Sequence, residues 1–172
     1  MTSELKREAL FKLQNNTIFE VDKIITADEI KNGHARFRKT LLTLAEGKVL
    51  ETGVGTSNNL RFYPKNKDIS ITAIDYSPNA IELALERESS LPINYELQDV
   101  EQLDYASNTF DCVVDTFGLE FFQKPEIAFA EMRRVCKPGG LLLLLEYGRP
   151  DNWLWLKLAK WSEPLDLGQY GR

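Results

Sequence analysis

The stretch Val49-Leu50-Glu51-Thr52-Gly53-Val54-Gly55-Thr56-Ser57 decides how this chain is read. A short apolar run, suited to one buried strand, leads into two glycines set one residue apart. Glycine takes a positive φ at no steric cost and lets a ligand approach the backbone closely. The stretch predicts a strand over Val49–Glu51, a tight turn over 53–57, and a short helix to about Phe62 that Pro64 stops. Glycine turns are common, so the flanking sequence has to carry the rest.

Downstream, strand and helix signals alternate. Ile69–Ile74 reads as a second strand ending at Asp75. Ser77 then caps a helix with Pro78 in its first position, and Ile81, Ala84 and Leu85 form its apolar stripe. Ile93–Leu97 is a third strand, followed by Asp99, and Phe110–Val114 a fourth, followed by Asp115. Pro125–Val135 is a helix with Ile127, Ala128, Met132 and Val135 at helical spacing. Lys137-Pro138-Gly139-Gly140 reads as a turn, and Leu141–Leu145 as a fifth strand ending at Glu146. Strands separated by helices imply parallel pairing with right-handed crossovers. The runs Ile71–Ile74 and Leu141–Leu145 are apolar on both faces, as in the middle of a helix-covered sheet.

Upstream, residues 4–13 read as a helix broken at Asn15-Asn16. Residues 27–46 read as one or two more helices ending near Gly47, with Phe37, Leu41, Leu44 and Ala45 on one face. Arg36, Arg38 and Lys39 beside them read as a solvated face.

Bulk properties narrow the function. The chain has 172 residues, 43% hydrophobic and 27% charged, enough for a packed core. A net charge of -5 argues against general nucleic-acid binding, though a local basic patch is compatible with it. Two cysteines in no pattern, Cys112 and Cys136, suit packing in a reducing, intracellular compartment, with cytoplasm and mitochondrion both open. A lone histidine, His34, reads as a surface or capping residue and leaves no metal site. No apolar run is long enough to span a bilayer, and the acidic start has no signal-peptide core.

Glu51, Asp75, Asp99, Asp115 and Glu146 all stand at strand ends. In open α/β sheets the ligand lies beyond those ends. Asp75, about 20 residues past the glycine turn, suits two ribose hydroxyls. Asp99 suits an adenine amino group, and Val100 the face of the purine. A nucleoside is thus the expected ligand, and NAD and S-adenosylmethionine compete. The dinucleotide pattern requires a third glycine where Asn58 stands, and Glu51 would repel a diphosphate. S-adenosylmethionine carries a cationic sulfonium and ammonium instead, which match the sign of Glu51.

The stretches VLETGVGTSNN, ITAIDYSPNAIELA, LQDVEQL, NTFDCVVDTFGLEFF and EMRRVCKPGGLLLLLE, in this order, resemble a class I methyltransferase of the UbiE-like methyltransferase 11 type. Within it, GVGTSNNLRFYP and LLEYGRPDNWLW resemble the branch of thiol methyltransferase-like and mitochondrial methyltransferase-like proteins. The resemblance implies an α/β, Rossmann-like parallel sheet of order 3-2-1-4-5 with helices on both faces. It implies S-adenosylmethionine or S-adenosylhomocysteine held by Glu51, Gly53 and Gly55 at the methionine moiety. Asp75 and Tyr76 fall at the ribose, Asp99 and Val100 at the adenine, and Asp115 and Thr116 near the methyl group. The catalytic residue and the acceptor are left open, with a small molecule as the family-level expectation.

Two departures stand against the resemblance. Ser57 occupies the place of a usual third glycine. The family's C-terminal antiparallel hairpin is not evident after Glu146, where the remainder is rich in tryptophan. Three regions are therefore expected: an N-terminal helical cap over 1–47, a cofactor-binding core over 48–147 and an extension over 148–172. Trp153, Leu154, Trp155, Leu158 and Trp161, with the edge of the fifth strand, are expected to meet a protein partner. The alternative function is a non-catalytic, methyltransferase-like subunit serving as a scaffold in a larger assembly.

Overall fold

Five of the apolar runs become the five strands of one parallel sheet. The computed structural model describes residues 31, 33, 35–119 and 121–146. In chain order the elements are helix α1 (Ala35–Leu42), strand β1 (Gly47–Thr52), a 3-10 turn (Leu60–Phe62), β2 (Ile69–Asp75), α2 (Pro78–Leu85), β3 (Ile93–Leu97), β4 (Phe110–Thr116), α3 (Pro125–Val135) and β5 (Cys136–Leu145). The sheet order is β3-β2-β1-β4-β5 with every neighbour parallel, as expected. Strand order reverses between β1 and β4, so the ligand-binding crevice of such a fold opens above the end of β1.

Register sorts the side chains onto two faces. Val49, Ile71 and Cys112 are paired across β2, β1 and β4, and they pack with Val114, Leu143, Leu42, Ala45 and Tyr63. Leu50 and Val113 point the other way, into a core with Phe110, Phe129, Met132 and Val135 of the α3 side. The α2 helix starts where the sequence predicts, with the Ser77 hydroxyl accepting from the Ala80 amide and Pro78 in the first turn. Cys112 and Cys136 are free thiols and both are buried, the packing role expected of them. No helix among the described residues is long and apolar enough to cross a membrane.

Several sequence expectations are corrected. In α1 the buried residues are Arg38 and Leu42, one turn apart, while Phe37 and, just past the helix, Leu44 are 47% and 46% exposed; Ala45 is buried as expected. Apolar spacing misplaced Phe37 and Leu44 and missed Arg38, the buried arginine that anchors this helix with Leu42, whereas Leu41 packs half-buried against the core as expected. Arg38 is only 5% exposed, so the solvated reading of the Arg36, Arg38 and Lys39 cluster fails at Arg38. In α2 the buried positions are Ala80 and Ala84, with Leu85 exposed, and in α3 Phe129 replaces the exposed Ile127. The small α2 alanines allow close approach to β2 and β3, which a leucine would prevent.

The predicted turn 137–140 is an irregular part of β5. The β4–β5 register jumps from Phe110↔Cys136 to Cys112↔Leu141, so extra β5 residues are looped out between the two pairs. The strand is the outer one of the described sheet rather than a central one, and Leu141 is exposed on it while Leu143 is buried. The helix over 4–13, His34 and the tryptophan-rich segment lie outside the described residues.

The corrected α1 face gives a direct test. Leu42→Ala is expected to cost about 2–5 kcal/mol in urea unfolding, as for other buried leucines, and Leu44→Ser less than about 0.5 kcal/mol. The reverse order would restore the face read from periodicity.

Candidate functional site

Parallel pairing carries the predicted acids to one edge of the sheet. Thr52 is level with Ile74 on one side and Asp115 on the other, and Asp75 is level with Leu97. Gly53 and Gly55 follow with φ of 58° and 55°, so the turn bends as only glycine does readily. Glu51 pairs with Val114 and Thr52 with Asp115. Alternation therefore sends Glu51 and Asp115 to opposite faces, and two separate polar clusters form.

The first cluster lies on the α1 side. Glu51 is 2% exposed, its Oε1 accepting from Asn59 Nδ2 at 2.9 Å and its Oε2 from the Tyr63 hydroxyl at 2.7 Å. Asn59 Nδ2 also reaches Thr116 Oγ1 at 3.0 Å. Arg38 Nη1 donates to Asn59 Oδ1 and to Thr116 Oγ1, both at 2.6 Å, and its guanidinium lies 4.9 Å from the centroid of the Phe117 ring. Phe117 holds a φ of 62°, a costly value for an aromatic residue, directly after β4. Burial pushes the Glu51 carboxyl up to about 7, opposed by its bonds to Tyr63 and Asn59 and by the charge of Arg38. Tyr63 is pushed well above the ordinary tyrosine range by burial and by its carboxylate partner.

The second cluster lies on the α3 side. Asp115 is fully buried and accepts from Thr52 Oγ1 at 2.7 Å and from the Gly118 amide at 3.0 Å. The Glu146 carboxyl stands beside it. Glu146 in turn accepts from the Leu119 amide at 3.1 Å. Burial raises Asp115 above the ordinary carboxyl range. A Cβ on Gly118 would lie 2.5 Å from Asp115 Oδ2, so glycine is what allows the loop to close over this carboxyl.

Between the clusters, Asp75 ties the glycine turn to the second strand end. Its Oδ2 accepts from the Gly55 amide at 2.9 Å and its Oδ1 from the Ser77 amide at 2.9 Å. Burial raises its carboxyl while these amides lower it. Tyr76 beside it is 41% exposed. Asp99 Oδ1 accepts from the Glu101 amide at 2.9 Å, a local turn, and Val100 is packed in the core with Leu50, Ile74 and Leu103. Ser57 keeps a φ of 64° and its hydroxyl is bonded to that of Tyr95 at 2.8 Å, so the side chain is turned toward β3.

The structure thus brings Gly53, Gly55, Asp75, Tyr76 and Asp99 to the strand-end surface, and turns Glu51, Asp115 and Thr116 inward. Arg38, Asn59, Tyr63 and Gly118 had no part in the sequence reading of the site. Of these, Asn59 alone gave a signal, as a polar side chain just past a glycine turn. A surface pocket of about 220 Å³ adjoins the end of the glycine turn at Ser57 and is lined further by Arg61, Lys65, Arg87, Ser89 and Ser90 among others. It shares no residue with the strand ends.

A parallel sheet with a glycine turn and acids at its carboxyl edge defines a Rossmann-like, nucleoside-cofactor fold. A methyltransferase-domain family profile, of the methyltransferase 11 type, matches residues 50–144, more than half of the chain. The chain belongs to this family, whose cofactor is S-adenosylmethionine. Demethylmenaquinone methyltransferase of Renibacterium salmoninarum is 31% identical over 131 residues, 73% of this chain and 54% of that protein. Phosphatidylethanolamine N-methyltransferase of Cereibacter sphaeroides is 36% identical over 110 residues, 62% of this chain and 53% of that protein. The chain spans about half the length of these curated relatives. Phosphoethanolamine N-methyltransferase 2 of Haemonchus contortus, solved with S-adenosyl-L-methionine, shares the fold at a TM-score of 0.60 and 22% identity, over 74% of this chain and 32% of that one.

The Glu51 carboxyl titrates higher in the folded chain, at about 7, than its ordinary 4.5. Its contribution to stability is therefore complete below pH 4.5 and is lost as pH rises through 7. Relative to Glu51→Gln, wild-type stability is expected to fall by up to about 3 kcal/mol between pH 4.5 and 8, measured by urea unfolding across pH. Parallel curves for the two proteins would contradict a buried acid in this state.

Proposed function

We propose that this chain is the cofactor-binding core of an S-adenosylmethionine-dependent methyltransferase acting on a small-molecule acceptor. The observation that carries the reading is the Asp75–Gly55 bond beneath an open glycine turn. A Cβ built on Gly55 meets nothing within 4 Å, and one on Gly53 comes no nearer than 3.6 Å, to Phe122. The turn thus offers bare backbone beside an acid already fixed in place.

The residues fit the cofactor. Gly53 and Gly55 would hold the methionine moiety. Asp75 has about four acceptor positions, so ribose hydroxyls would use those its backbone partners leave. Tyr76 would flank the ribose, and Asp99 and the Val100 backbone would meet the adenine. Thr116 and Asp115, turned inward, would back the region nearest the methyl group rather than touch it. When bound, the cofactor supplies a methyl group already activated by its sulfonium charge. The chain's own part is then to bind, orient and exclude water, and no protein nucleophile is required. Burial pushes Cys112 up to about 12, which suits packing and not attack.

The two curated relatives are named for a quinone and a phospholipid, which supports an apolar small molecule as the acceptor. A second reading is a methyltransferase-like scaffold subunit with a weakened cofactor site. It draws on one observation: both Glu51 oxygens are already occupied from within.

Calorimetric titration with S-adenosylhomocysteine tests the proposal. Wild type is expected to bind one equivalent, and Asp75→Ala about five- to 150-fold more weakly, as when buried polar partners lose a bond. Equal affinity in the two proteins, or tighter binding of NAD, would overturn it. Binding without methyl transfer to any quinone or amine acceptor would favour the scaffold.

A further inference from the structure

We propose that Arg38 is a positioning residue for the cofactor turn: from α1 it fixes the amide of Asn59, and through it the carboxyl of Glu51, while holding Thr116 in place. Docking of α1 and assembly of the acidic floor under Gly53 and Gly55 are then a single event. The inference rests on the reading of the strand ends as a cofactor site and deepens it.

The chemistry of the donors supplies the direction. A guanidinium has five N–H donors and no acceptor. Its 2.6 Å bond to Asn59 therefore obliges the amide to present Oδ1 to Arg38. That leaves Nδ2 for Glu51 Oε1 and Thr116 Oγ1, where it is found at 2.9 and 3.0 Å. Released from Arg38, the Asn59 amide would be free to turn over and set its oxygen against the carboxylate. The same guanidinium nitrogen reaches Thr116 at the end of β4, so one cation joins α1, the segment after the glycine turn and the strand next to β1.

Packing alone does not account for an arginine here. Replacing buried ionic groups by apolar ones of similar volume is often neutral or stabilising. A helix that needed only a hydrophobic anchor would carry leucine or methionine at this position, as it carries Leu42 one turn later. The buried cation has a target instead, the acid of β1. Glu51 is faced by Arg38 from α1, by Asn59 and Tyr63 around the 3-10 turn, by Asp115 from β4 and by Tyr95 from β3. Cys112 of β4 stands next to Tyr63. Among the described residues Arg38 is the cation in that set, and its charge acts to keep Glu51 ionised.

The test uses Arg38→Met, Arg38→Lys and Asn59→Leu in the full chain. The titration midpoint of Glu51 is read by carbon-13 carboxyl NMR without cofactor, and affinity for S-adenosylhomocysteine is read at several pH values. Arg38→Met is expected to raise the Glu51 midpoint by about one unit. It should weaken binding about tenfold or more at pH 7, with the pH of half-maximal affinity moved upward. Arg38→Lys should return the midpoint toward wild type while recovering only part of the affinity, since an ammonium cannot reproduce the guanidinium fork. Asn59→Leu cuts the relay but leaves Arg38 on Thr116, and should raise the midpoint even if Arg38→Met does not fold. Unchanged midpoints and affinities in the variants that fold would overturn the inference alone. A wild type that binds no S-adenosylhomocysteine would overturn the cofactor reading and the positioning role together.

Discussion

Glu51 is an acid enclosed at the end of the central strand, and its burial sets terms for everything packed around it. A carboxyl withdrawn from water has to be met by donors or give up its charge. Here Tyr63 and Asn59 supply the donors and Arg38 the opposing charge, from three places along the chain. The 3-10 turn, the first described helix and the end of β4 are thereby fixed relative to β1. The glycine turn begins two residues later, on a base that is already rigid.

The other face of the sheet solves a similar problem differently. Around Asp115 stand a threonine hydroxyl, backbone amides and the carboxyl of Glu146. The loop over them needs Gly118, because any side chain would run into Asp115. The strand-end surface thus has a floor of inward-turned acids on both faces, with Asp75 alone lashed to the turn itself. That division separates residues that would shape the cofactor site from those that would touch the cofactor.

Most of the architecture was legible in the sequence, because strand ends, the Ser77 cap and the spacing of acids are local signals. The five strands and the edge carrying Glu51, Asp75, Asp99 and Asp115 follow from them, and the strand order from the family resemblance. What escaped was long-range. No periodicity announces that Arg38 will be buried, since its partners, Asn59 and Thr116, lie far along the chain. The same bond explains why the apolar pattern misjudged the α1 face. The looped-out stretch of β5 was read as a turn because Pro138, Gly139 and Gly140 give the same signal for a bulge as for a connection. Ser57 illustrates the reverse case. Its identity raised the question of crowding, and only its bond to Tyr95, supplied by a different strand, answers where the side chain goes.

The central claim is that a nucleoside cofactor lies across the glycine turn and the ends of β1, β2 and β3. Backbone amide chemical shifts, followed as S-adenosylhomocysteine is added, address it most directly. The largest changes are expected at Gly53, Gly55, Tyr76 and Val100, with Ser89 and Ser90 at the far side of the 220 Å³ pocket unmoved. Shifts confined to residues 87–91, with the glycine turn silent, would contradict it.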